Sequence, residues 1–153
     1  MLLQQARALV NAISKTLRLI SVGSVGRGES NPADLDFITK TKLDTVLRWF
    51  QRKYPNLKIK ASGERYLSFV ADGHSYNIWR FKTAREKVFM RFARLATQKK
   101  NIIARKLAKD KNLILTDKDL TDLQHHPLTA VKTEKGLYNK LGMTYRSRVQ
   151  RYF

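Results

Sequence analysis

The chain contains no cysteine. That excludes disulfides and cysteine-based zinc sites, and it suits a reducing, intracellular compartment rather than secretion. Acid is scarce as well. Only 12 Asp and Glu stand against 31 Lys and Arg, a formal net charge of +19 over 153 residues. No apolar run approaches the roughly 18 residues of a membrane span. No charged segment followed by an apolar stretch opens the chain, so neither a signal peptide nor a membrane location is expected. Repeats and low-complexity tracts are absent. What is present is 42% hydrophobic residues, enough to build a core and to exclude a disordered basic tail. The length suits one compact unit or two small lobes. An excess of positive charge on this scale points to a polyanion, nucleic acid above all. A solvated or ribosome-associated surface is the plainer alternative.

Periodicity orders the chain. Leu2, Leu3, Ala6, Leu9, Val10, Ile13 and Leu17 recur at helical spacing and predict a helix over 2–17. Leu19 to Val22 reads as a strand running into a Gly23-Ser24 turn, and 26–32 as a loop. A second strand spans Asp34 to Thr39. Leu43, Val46, Leu47 and Phe50 mark a helix stopped near Pro55, and Leu57 to Ala61 a third strand. Residues 65–71 and 75–81 alternate around Asp72-Gly73, a hairpin signal. From Arg80 to Lys111 there are twelve basic residues and two acidic ones, Glu86 and Asp110. Val88, Phe89, Phe92 and Leu95, then Ile102, Ile103 and Leu107, predict two helices with apolar inner and basic outer faces. Leu113 to Leu115 reads as a short strand. Thr133 reads as the N-cap of a helix with Leu137, Tyr138 and Leu141 inward and Gly142 as its stop. A boundary is expected near 82–86, dividing the chain into 1–83 and 84–153.

The chemistry concentrates in Gly23-Ser24 and Asp34-Leu35-Asp36. Alternate strand residues share a face, so Asp34 and Asp36 project side by side, about 6–7 Å apart. Two carboxylates that close repel unless a cation lies between them. The Gly-Ser turn offers N–H groups and a hydroxyl to an anion. Metal ligands beside a phosphate cradle point to metal-assisted nucleotidyl transfer. A bare Asp-x-Asp is common and weak alone; the Gly-Ser at this distance strengthens it.

The run Val22-Gly23-Ser24-Val25-Gly26-Arg27-Gly28-Glu29 through Ala33-Asp34-Leu35-Asp36 resembles the nucleotidyltransferase signature of the X-family DNA polymerases. Lys132 to Tyr138 and Leu141 to Arg146 resemble the C-terminal end of the same family, and in the same order. The likeness is strongest to the minimal viral members, which have a palm, one further lobe and no N-terminal lyase domain. The resemblance implies an α+β fold: a nucleotidyltransferase palm (a mixed sheet with helices on one face) followed by a small, mainly helical basic lobe. It implies two Mg2+ or Mn2+ ions on Asp34 and Asp36, a deoxynucleoside triphosphate on Gly23, Ser24 and Arg27, and Phe92 against the incoming nucleotide. Primer–template or gapped duplex DNA is the implied partner and short-gap repair the implied role, with the protein a monomer. Arg91, Ala93 and Arg94 depart from the family around Phe92.

The largest departure is at the third carboxylate. Spacing puts Asn77 there, by nature or by design; a shift of two would bring Trp79 instead. An amide oxygen can ligate a metal, but it cannot act as a base. Two other readings therefore stand beside the polymerase: a template-independent nucleotidyltransferase, and a nucleic-acid-binding module without chemistry. Lys99, Lys100 and Arg105 are the candidate DNA contacts. Tyr145, Arg146, Arg148 and Arg151 either touch DNA or form a basic tail. His125-His126 reads as an ordinary loop rather than a metal site, and Trp49, Trp79 and the tyrosines as core and interlobe packing.

Overall fold

The computed structural model describes residues 3–29 and 34–146. The chain divides into two compact units, Met1–Lys82 and Thr83–Phe153.

The first unit is built on a five-stranded sheet. Its strands are β1 (Ile20–Val22), β2 (Asp34–Thr39), β3 (Lys58–Ser62), β4 (Tyr66–Ala71) and β5 (His74–Arg80), in the order β1-β2-β5-β4-β3. Only β2 and β5 pair in parallel; the other neighbours are antiparallel. The β4–β5 turn uses positive φ at both Asp72 (52°) and Gly73 (74°), the backbone a two-residue hairpin needs.

One face of this sheet is apolar. Leu35 and Phe37 of β2 sit opposite Tyr76 and Ile78 of β5, which in turn sit opposite Phe69 and Leu67 of β4. This face packs with Val10, Ile13 and Leu17 of α1 (Leu3–Leu17) and Leu43, Val46 and Phe50 of α3 (Leu43–Lys53). Phe50 contacts the Phe69 and Tyr76 rings at centroid distances of 4.7 and 5.1 Å. Burial pushes the Tyr76 hydroxyl pKa far above its usual value. Between β1 and β2 lies α2 (Gly23–Arg27), a helical turn where the two glycines had predicted a turn and loop. Its Val25 joins the same core.

The second unit contains α4 (Ala84–Leu95), α5 (Gln98–Asp110), a two-stranded ribbon of β6 (Leu113–Leu115) and β7 (Leu120–Asp122), and α6 (Glu134–Leu141). Each helix opens on a threonine whose hydroxyl accepts a backbone N–H: Thr83 from Glu86, Thr97 from Lys100 and Thr133 from Gly136. Gly142 ends α6 at φ 74°.

The inner face of α5 differs from the periodicity. Ile102 and Ile103 are exposed, at 59% and 41%, while Ala104 and Ala108 are fully buried. The small side chains let α5 approach β6 and α6 closely. Asn101 reinforces that side: its amide donates to the carbonyls of Ala93, Ala96 and Thr97 at 2.9–3.2 Å, joining the end of α4 to the start of α5.

The outer faces are also less uniformly basic than the charge count predicts. Arg94 turns to Asp117 at 3.0 Å. Arg85 donates to Asp119 and to the carbonyls of Val131 and Leu128, at 2.6–3.1 Å, pinning the β7 segment against α4. β7 itself, missed by periodicity, begins at the residue after Asp119. Arg85→Ala should lower the unfolding free energy by about 1–3 kcal/mol, since it takes the guanidinium from the Val131 carbonyl and leaves Asp119 and the Leu128 carbonyl with only the N–H groups of Leu120 and Val131. Arg85→Lys should recover less than half, because an ammonium cannot span the same fork. Urea denaturation of the three chains measures both.

Candidate active site

The second face of the first unit's sheet carries polar side chains. Period-two alternation places Asp34 and Asp36 of β2 on the face opposite Leu35 and Phe37. Across the parallel pair, Asp34 sits opposite Ser75 and Asp36 opposite Asn77. Across the next pair, Asn77 sits opposite Ser68 and Trp79 opposite Tyr66. Asp36, Asn77 and Ser68 therefore form one row across three strands, with the Tyr66 and Trp79 rings beside it at 5.3 Å between centroids. Trp79 lies two residues along β5 from the row and meets Tyr66, not Asp36.

The hydrogen bonds of this row are specific. Asn77 Nδ2 donates to Asp36 Oδ1 at 3.0 Å. Asn77 Oδ1 accepts from the Tyr66 hydroxyl at 2.9 Å and from the Ser68 hydroxyl at 3.0 Å. Ser68 is 7% exposed. Neither Tyr66 nor Ser68 was anticipated from the sequence. A hydroxyl on every second residue of a strand is the only trace they leave there, and it identifies nothing until the register is known.

The Gly-Ser turn meets the same carboxylate. β1 pairs antiparallel with β2 so that Val22 faces Asp36, and Gly23 follows at φ +62° as the first residue of α2. A Cβ at Gly23 would collide with the Asp36 carboxylate. Glycine is required here twice over, by backbone conformation and by space. Ser24 is half-buried in the same turn. Arg27, expected on phosphate, pairs with Glu29, Nη2 to Oε1, at 2.6 Å.

Phe92, expected against an incoming nucleotide, belongs to α4. It is 1% exposed and packs edge-to-face on Tyr138 at 5.6 Å, as part of the second unit's core. On α5, Lys99 and Arg105 are exposed, whereas Lys100 is half-buried with Nζ 5.5 Å from the Tyr138 ring centre. Burial, then the charge of Arg146, hold the Lys100 ammonium below its usual pKa. Arg148 and Arg151 lie outside the described residues. His126 contacts Asp122 in a turn, Nδ1 to Oδ2, at 3.2 Å.

Among the described residues, no three His, Cys, Asp or Glu side chains converge as metal ligands. Asp34 and Asp36 are of the residue type that holds a divalent ion, with the half-buried carboxylate of Asp36 against Gly23 and the exposed one of Asp34 two residues along β2. A cleft of about 410 Å³ elsewhere in the first unit is lined by Lys42, Asp44, Ser62, Glu64 and Arg80 and includes neither carboxylate of the pair. There Lys82 hydrogen-bonds Glu64 and holds its carboxyl below the ordinary pKa. No described helix is long and apolar enough to cross a membrane.

Residues 98–152 match the family model described as DNA polymerase beta thumb. No curated protein sequence matches the chain. Among solved structures, polymerase beta of Leishmania infantum, in a ternary P/T complex, superimposes with a TM-score of 0.75 at 16% identity. That match covers 99% of this chain and 76% of the other. The fold is thus α+β and similar to that of polymerase beta.

Replacing Gly23 by alanine should force either the helical turn or the Asp36 carboxylate to move. The left-handed backbone alone costs about 1–2 kcal/mol for a residue with a Cβ. Gly23→Ala should therefore lower the urea midpoint at an unchanged m-value, a loss of stability with no change in the surface exposed on unfolding.

Proposed function

We propose that this protein is an X-family DNA polymerase, which binds primer–template DNA and a deoxynucleoside triphosphate and adds nucleotides to a primer 3′-hydroxyl. The observation that carries the reading is the join of Gly23-Ser24 to the Asp36 carboxylate on the polar face of a polymerase beta-like sheet. The thumb match over 98–152 supports it independently, in the second unit and by sequence alone.

Asp34 and Asp36 would hold the divalent metal. Bound there, it supplies positive charge to the triphosphate and to the attacking hydroxyl. The chain's own contribution is placement. The Gly23-Ser24 turn presents N–H groups and a hydroxyl where a β- or γ-phosphate would lie. Arg27 lies at the end of the same helical turn, with Nε and Nη2 on Glu29, and would add positive charge beside the phosphates. The exposed cations of α5, Lys99, Arg105 and Lys106, suit the DNA backbone, which they position without reading sequence. Asn77 cannot take a proton from the primer hydroxyl, so that proton leaves through solvent or substrate and transfer is slow. Filling a short gap in a duplex is the role in repair that this reading proposes.

A binding module without chemistry is the second reading, favoured by the amide at Asn77. Primer extension on a gapped duplex with Mg2+ and all four triphosphates separates the two. A polymerase follows template identity and loses about a thousandfold or more in rate on Asp34→Ala, the several kcal/mol that a metal site contributes. A binding module shows no extension in either chain. DNA affinity should fall steeply with salt in both cases. Lys99→Glu with Arg105→Glu should flatten the log–log slope by about one for each phosphate no longer neutralised.

A further inference from the structure

The row Asp36–Asn77–Ser68 sets an amide against a carboxylate. Two carboxylates side by side on adjacent strands would need an ion between them. Here the second side chain is an amide, and the atom turned toward Asp36 Oδ1 is its N–H donor, at 3.0 Å. The opposite orientation would set the amide oxygen against the carboxylate, so charge decides which way the group lies. Both lone pairs of Asn77 Oδ1 are then taken, by Tyr66 at 2.9 Å and Ser68 at 3.0 Å. To offer Oδ1 to an ion the amide would have to turn over. Both hydroxyls would then lose their acceptor, and Ser68, at 7% exposure, has little water to donate to instead. On its other oxygen, the Asp36 carboxylate is backed by Gly23.

We infer that Asn77, oriented by Tyr66 and Ser68, holds Asp36 as a second metal ion would, so that the site takes one divalent ion rather than two. Tyr66 and Ser68 are positioning residues in this scheme: they act through Asn77 and touch no substrate. The inference rests on the metal-binding part of the proposed function, but its test needs neither DNA nor synthesis.

Mn2+ binding to the full chain, followed by loss of the free-ion electron paramagnetic resonance signal, counts the ions. The unsubstituted chain should take one, and Asn77→Asp two. Two ions on the unsubstituted chain, or no added ion on Asn77→Asp, overturn the inference. Should Asn77→Asp fail to fold, side-chain amide NMR of the unsubstituted chain decides. The Asn77 carboxamide proton facing Asp36 should stay downfield and slow to exchange under saturating Mg2+. Its collapse to an ordinary shift would mean that the ion displaces the amide. Tyr66→Phe combined with Ser68→Ala should speed that proton's exchange at least tenfold, and unchanged exchange would remove both residues from the scheme. Primer extension fails or succeeds separately. A chain that extends primers yet binds two ions keeps the polymerase reading and loses this one; a chain that binds one ion and extends nothing does the reverse.

Discussion

The parallel pairing of β2 with β5 governs the first unit. It sets Leu35 and Phe37 against Tyr76 and Ile78 on one face, and Asp34 and Asp36 against Ser75 and Asn77 on the other. Side chains alternate with a period of two, so the register that assembles the core also assembles the polar row. A slip of one residue would bury the carboxylates against α1 and α3 and turn the aromatic cluster outward. The free energy of burying Phe37, Phe69, Tyr76 and Ile78, all at 0% exposure, thereby also positions the chemistry.

Around that register the polar face has its own logic. Asp36 is approached from one side by backbone without a Cβ, at Gly23, and from the other by the Asn77 amide. Each neighbour removes something a carboxylate would otherwise resist: steric bulk in the first case, a second negative charge in the second. The second unit uses cations differently. Arg85 and Arg94 are engaged by Asp119 and Asp117, inside its own framework. On α5, Lys99, Arg105, Lys106 and Lys109 are exposed beside Ile102 and Ile103, and Lys118, Lys132, Lys135 and Lys140 are exposed elsewhere in the unit.

Much of this was legible in the sequence because local signals were strong. Apolar spacing located α1 and α3, alternation around Asp72-Gly73 located the β4–β5 hairpin, and Thr133 with Gly142 bracketed α6. Failures occurred where the deciding contacts are distant in sequence. Hydrophobicity chose Ile102 and Ile103 as the inner face of α5, but packing chose Ala104 and Ala108, because close approach favours small side chains over merely apolar ones. β7 has one apolar residue and no periodicity; it exists by pairing with β6 and through the Arg85 clamp.

The residue types at Gly23, Asp34, Asp36 and Asn77 were written in the sequence alone, and so was the shared face of the two aspartates, since a strand's alternation needs no partner to define it. Which side chains complete that face was decided by tertiary structure. Tyr66 and Ser68 lie nine or more residues from Asn77 in the chain, and Asp36 lies forty-one away. Only strand pairing brings them within hydrogen-bonding distance, and only that contact settles which way the amide points.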